Sequence, residues 1–159
     1  MPGTDSGTTK IPNAVLHTND SNRFEARHVN LKVSSSNKSF FLDKYETDQI
    51  LAVPNAHAEG KLILDIDKLN EIESNNQVAF RSCNSEGSLE AGYPWNPNGA
   101  PNDIAGITNS RGNVLGMMPH PERVFHGWQH TDWTSTGRNP DGPGDGRALF
   151  EGVVEFLCK

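Results

Sequence analysis

Gly116-Met117-Met118-Pro119-His120-Pro121-Glu122-Arg123 is the stretch on which the reading of this chain turns. An apolar run over residues 114–118 has strand character and stops at a histidine and a glutamate set between prolines. Each proline fixes its own φ and pushes the residue before it out of the helical region, so the segment is expected to run extended. Residues two apart in an extended chain face the same way. The His120 imidazole and the Glu122 carboxylate are therefore expected side by side at the exit of a buried strand, as a base and its orienting acid. A loop in which the two are neighbours by chance is the competing reading of so short a pattern.

Working outward, residues 103–108 and 113–118 are apolar runs joined by Asn109-Ser110-Arg111-Gly112, which reads as a β-hairpin whose second strand delivers the stretch. Downstream, the Gly/Pro/Asp-rich residues 137–144 form a loop. Asp145 is then expected to cap an amphipathic helix over residues 146–159, with Leu149, Val153, Val154, Phe156 and Leu157 docking against a sheet. Upstream, residues 23–33 read as a strand with a bulge near Arg27 and His28, because Phe24 and Ala26 fall on one parity and Val29, Leu31 and Val33 on the other. Residues 49–53 form a buried strand ended by Pro54; residues 61–64 and 77–82 are further strands. A short helix through residues 70–74 takes its cap from Asp65 or Asp67. Residues 93–99, rich in Pro, Asn and aromatics, form a rigid turn segment.

A length of 159 residues fits one domain, but only 34% of them are hydrophobic and 15 are glycine and 10 proline, so much of the chain is loop. The net charge of −6 argues against nucleic acid or an anionic membrane as partner. No apolar run approaches a membrane span. Residues 1–10 read as a disordered lead without the features of an export signal, which makes a cytoplasmic location the default. Two distant cysteines do not make a disulfide framework.

Other chemistry-bearing groups are weaker. A second His-x-Glu-Gly pattern, His57 to Gly60, follows Pro54; its two side chains face an active site, face a partner, or serve structural hydrogen bonds. His126 and His130, with Cys158, lack the helix their spacing needs and the close cysteine pair that structural zinc prefers, so no metal site is expected. A nucleophile elbow wants small residues two before and two after the nucleophile, and Cys83 has Arg81 and Ser85 there. Cys158 falls at a helix C-terminus, where the dipole disfavours a thiolate. Gly144-Asp145-Gly146 precedes a helix, yet its Asp would repel a phosphate.

The chain resembles the glutaminase subunits of phosphoribosylformylglycinamidine synthase, which are class I glutamine amidotransferases. The resemblance runs over residues 11–159. It rests on Arg23-Phe24-Glu25-Ala26-Arg27, Ala56-His57-Ala58-Glu59-Gly60, Tyr93-Pro94-Trp95-Asn96-Pro97-Asn98-Gly99, Ile104-Ala105-Gly106-Ile107-Thr108 and the stretch ending in Arg123, in that order. It implies an α/β, flavodoxin-like fold, of which this chain is the strand-rich C-terminal part with a C-terminal amphipathic helix. It also implies a thioester mechanism on L-glutamine, with His120 as base and Glu122 as its orienting partner. The family's cysteine elbow would lie ahead of residue 23, where this chain has none, so the isolated chain is expected to be inactive and to leave an apolar sheet edge and face exposed. The implied partner is a synthase subunit that receives ammonia and holds ATP and magnesium, with no cofactor in this chain. A non-catalytic module that binds the synthase is the rival expectation.

Overall fold

Residues 13–159 are described by the computed structural model; the lead over residues 1–10 lies outside the described residues. In chain order the main elements are β1 (Ala14–His17), β2 (Glu25–Val33), β3 (Ile50–His57), β4 (Lys61–Leu64), α1 (Ile66–Ser74), β5 (Val78–Cys83), β6 (Ile104–Thr108), β7 (Leu115–Met117) and α2 (Arg147–Leu157). Five strands form one sheet in the order β3-β2-β5-β6-β7, and β1 pairs with β4 in a separate ribbon. Every strand pairing among the described residues is antiparallel. The strand-rich α/β character and the C-terminal helix agree with the sequence reading.

Alternation along β2 positions the core. Val29, Leu31 and Val33 point inward, and opposite them on β3 stand Val53 and Leu51. With Phe80 of β5, Val124 and Leu149 they make the main cluster, each such side chain contributing about 1.5–3 kcal/mol by leaving water. A smaller cluster joins Ile72 of α1 to Val78, Ile104 and Ile107. Asp65 caps α1 by accepting from the Lys68 N–H at 2.7 Å, as its position ahead of the helix predicts.

Two expectations about the strands need correction. No bulge interrupts the pairing of β2 with β3, which runs in register from Glu25↔His57 to Lys32↔Ile50. The inward parity continues to the strand start with an acid: Glu25 is only 4% exposed and is held by Arg27 Nε at 2.8 Å, while Phe24, which suggested a change of face, is 63% exposed. Pro54 does not end its strand either. β3 is the edge strand, and a missing N–H on the outer side costs the ladder nothing.

The helix differs as well. Asp145 makes no cap for α2, whose N-cap is Gly146 without a side-chain bond. Only one stripe of α2 docks, with Leu149 and Gly152 buried. Gly152 lies so close to the Phe40–Leu42 turn that a Cβ there would meet the Phe40 carbonyl oxygen at 2.6 Å. This seats α2 on that turn, with the Phe40 and Phe156 rings stacked at 4.1 Å, and leaves Val154 and Leu157 60% and 75% exposed.

Candidate active site

The β6–β7 hairpin aims the chain at the site. Gly106 pairs with Met117 and Thr108 with Leu115, and the Asn109 side chain closes the loop by accepting from the N–H groups of Asn113 and Val114. Beyond β7 the chain crosses to the far edge of the sheet, where the His120 N–H donates to the Pro54 carbonyl at 2.8 Å. Pro121 then opens a 3₁₀ turn, Pro121–Val124, for which its fixed φ is suited. His120 Nδ1 lies 2.8 Å from Glu122 Oε1. The two groups meet as expected, but by a different route: Glu122 sits in the first turn of the 3₁₀ segment, not in an extended strand. Pro121 stops the extended run one residue earlier than the proline pattern suggests.

Backing for this turn comes from the entry to α2. The Gly146 N–H donates to the Val124 carbonyl at 3.0 Å. A Cβ on Gly146 would meet the Pro121 carbonyl oxygen at 1.9 Å, so only glycine permits the approach. Between them, Asp145 accepts from the Ala52 N–H of β3 at 2.8 Å and from Arg138 Nη1 at 2.8 Å, while its own carbonyl accepts from Tyr45 Oη at 3.0 Å. Asp145 thus ties helix, loop and edge strand together beneath the turn. Burial pushes the Tyr45 hydroxyl well above its ordinary range, so it stays a donor.

A carboxylate can only accept, so the bond to Glu122 places a proton on Nδ1 of neutral His120 and leaves its Nε2 lone pair to take a proton from elsewhere. The His120 side chain is about a third exposed and Glu122 about half, so the pair is open to a substrate or a partner. This is the arrangement of a general base with its orienter.

His57 and Glu59 do not form a second pair. Glu59 is exposed. His57 is buried, and its Nε2 donates to Asn55 Oδ1 at 3.0 Å while Asn55 Nδ2 donates to Asn98 Oδ1 at 3.2 Å. Asn19 closes the turn by donating to the His57 carbonyl and accepting from the Gly60 N–H. Burial, and then the neighbouring His120, hold the His57 imidazole below its ordinary value, with Glu25 opposing. These asparagines escaped sequence reading because isolated Asn residues in turn-rich segments look like solvent-facing turn formers.

Cys83 is fully buried in β5, and burial raises its thiol further. Cys158 is exposed at the C-cap of α2. His126 and His130 flank the 3₁₀ turn Gly127–Gln129; His126 stacks on Trp128, and buried His130 accepts from the Asp145 N–H at Nε2. Among the described residues no group of three or more potential ligands is placed to hold a metal ion. None of their helices is long and apolar enough to cross a membrane.

A groove of about 340 Å³ opens between the ribbon and the main sheet and reaches Met118, two residues before His120. Its lining is mostly apolar, with Gly60 and Asn98 at hand as polar neighbours.

The family model of the CobB/CobQ-like glutamine amidotransferase domain matches residues 1–157. Phosphoribosylformylglycinamidine synthase subunit PurQ of Archaeoglobus fulgidus is 42% identical over the full length of this chain, and the same subunit of Picrophilus torridus is 42% identical over 91% of it. The alignments cover 57% and 54% of those two proteins, so the chain spans little more than half their length. The solved structure of PurLQS from Thermotoga maritima contains a chain that superposes with a TM-score of 0.63 at 27% identity, covering 91% of this chain and 53% of that one.

Proposed function

The chain belongs to the family of CobB/CobQ-like glutamine amidotransferase domains, and on that premise we propose that it carries the base and orienter of a glutaminase serving phosphoribosylformylglycinamidine synthase. The observation that carries the proposal is the 2.8 Å contact between His120 Nδ1 and Glu122 Oε1. In the reaction, a cysteine thiol attacks the side-chain amide carbon of L-glutamine. His120 Nε2 takes the thiol proton and returns it to the departing ammonia, leaving a glutamyl thioester that water hydrolyses. Glu122 holds the imidazole in the required tautomer and stabilises it once charged. Ammonia passes to a synthase subunit, which holds the ATP and magnesium and works with this chain in the cytoplasm. The names of the relatives in Archaeoglobus and Picrophilus support the assignment to that synthase.

The nucleophile is neither Cys83 nor Cys158, and the isolated chain is inactive. Cys83 is buried with a raised thiol, and Cys158 ends a helix, where the dipole opposes a thiolate. The test is to incubate the purified chain with L-glutamine and, separately, with a glutamine-mimicking diazoketone. No glutamate and no mass adduct are expected. Glutamate release, or an adduct mapped to Cys83, would overturn the reading.

A further inference from the structure

Neighbouring amides at the entry to α2 hold the turn that carries His120 and Glu122, and one of them depends on a side chain for its acceptor. The Gly144 N–H donates to the Phe125 carbonyl at 2.9 Å and the Gly146 N–H to the Val124 carbonyl at 3.0 Å, so both grip the chain just past Glu122. Between them, the Asp145 N–H donates to Nε2 of His130 at 3.2 Å. The Asp145 carboxylate fastens the same point to the Ala52 N–H of β3, close to the Pro54 carbonyl that receives the His120 N–H.

A ring nitrogen that accepts carries no proton, so neutral His130 holds its proton on Nδ1. That Nδ1 is buried without a hydrogen-bond partner among the described residues, and so is Nε2 of His28, whose ring centroid lies 6.3 Å away. A side chain 1% exposed that leaves a polar atom unpaired is costly as mere filling. What it supplies is the acceptor at Nε2, which a hydrocarbon side chain of similar size lacks.

We propose that His130 is a positioning residue for the His120–Glu122 pair: with Nε2 unprotonated it holds the Asp145 amide, and protonation turns that nitrogen from the amide to the Asp145 carboxylate and loosens the turn. Asp145 Oδ1 lies 3.6 Å from Nε2, where a charged ring draws the carboxylate away from Arg138 and Ala52. The charged and titratable groups that act on His130 are His28 from β2, Asp132 and Arg138 from the loop, and Asp145 from the entry to α2. Burial leads in holding the imidazole below its ordinary value of 6.5; Arg138 and His28 add to burial, while Asp145 and Asp132 oppose it. The amide bond is therefore present at neutral pH and is lost as pH falls through the lowered folded value, below 6.5. The effect on turnover rests on the function proposed above; the effect on the turn does not.

The test uses His130→Gln, whose side-chain oxygen can reach the place of Nε2 and does not titrate, and His130→Leu, which offers no acceptor. In the full chain, NMR from about pH 7.5 to about pH 5.5 should show the wild-type Asp145 amide moving with the His130 ring nitrogens, and the Asp145 amide of His130→Gln staying in place. At about pH 7.5, neutral His120 should keep its Nδ1–H tautomer in His130→Gln and lose its preference for it in His130→Leu. Glutamate release is read in a chimera in which this chain replaces the matching part of the Archaeoglobus relative. There kcat is expected to fall by roughly tenfold in His130→Leu, with KM within about twofold of wild type, and to recover in His130→Gln. An Asp145 amide that titrates alike in wild type and His130→Gln overturns the proposal, and that comparison decides even where His130→Leu fails to fold. An unchanged His120 tautomer in folded His130→Leu overturns it as well. A tautomer response without glutamate release from the wild-type chimera leaves the positioning role standing and sinks the proposed function instead.

Discussion

The main-chain N–H of His120 and the carbonyl oxygen of Pro54 are 2.8 Å apart, so the candidate base hangs from the outer edge of strand β3. This contact explains why a proline is useful in that strand. At Pro54 the outward side supplies an acceptor alone, and the absent N–H leaves no unpaired donor at that point of the edge. It also means that the site is assembled from three remote segments: the edge strand, the turn after β7, and the entry to α2.

Glu122→Gln removes the acceptor charge while keeping the size of the side chain. In the Archaeoglobus chimera, kcat for glutamate release is expected to fall by roughly 10²-fold or more with KM little changed, because the orienter acts through His120 and not on bound glutamine. In the free chain, nitrogen NMR should show neutral His120 losing its preference for the Nδ1–H tautomer. An unchanged tautomer with unchanged kcat would remove Glu122 from the mechanism.

Asp145→Ala strips the acceptor from the Ala52 N–H and the partner from Arg138. A loss of about 1–3 kcal/mol in urea unfolding is expected, since a part-buried donor is left unsatisfied. Gly146→Ala should cost a similar amount for a different reason, the backbone contact with Pro121, and should also move the His120 and Glu122 resonances. Denaturation midpoints equal to wild type in both variants would contradict this account of the turn.

Leu149→Ala and Leu157→Ala separate the docked stripe of α2 from its exposed one. Leu149, 6% exposed, is expected to cost about 2–5 kcal/mol, whereas Leu157, 75% exposed, should stay within about 0.5 kcal/mol. Equal losses would mean that the helix docks along its whole apolar face.

Stability should fall as the medium is acidified through the histidine range. Burial is the leading cause that holds His28, His57 and His130 below the ordinary value of 6.5; Asp132 and Asp145 oppose it at His28, and Asp145 does so at His130. The unfolded chain therefore binds more protons than the folded one below pH 6.5, and the stability present above that pH is lost as pH drops toward the folded values. Urea midpoints measured from about pH 7.5 to about pH 5.5 test it. A flat profile would show that these imidazoles are free to charge in the folded state.

Much of this was readable from residues alone, and the failures have physical causes. The β6–β7 hairpin, the Asp65 cap and the meeting of His120 with Glu122 depend on local chemistry, which a sequence displays. The continuity of β2 was hidden because Glu25 occupies an inward position that only its contact with Arg27 makes tolerable. Asp145 looked like a helix cap because caps are local, while its true acceptor role is toward Ala52, 93 residues away. Likewise, the apolar face of α2 is wider than the surface it docks on, and nothing within the helix says where docking stops.

Steady-state glutamate release by the Archaeoglobus chimera, comparing wild type with His120→Asn, bears most directly on the claim that this chain supplies the base of a glutaminase. Release by the wild-type chimera, reduced by roughly 10²-fold or more in the variant at unchanged folding, is the predicted result. Equal release from the two, or none from a folded wild-type chimera, would contradict it.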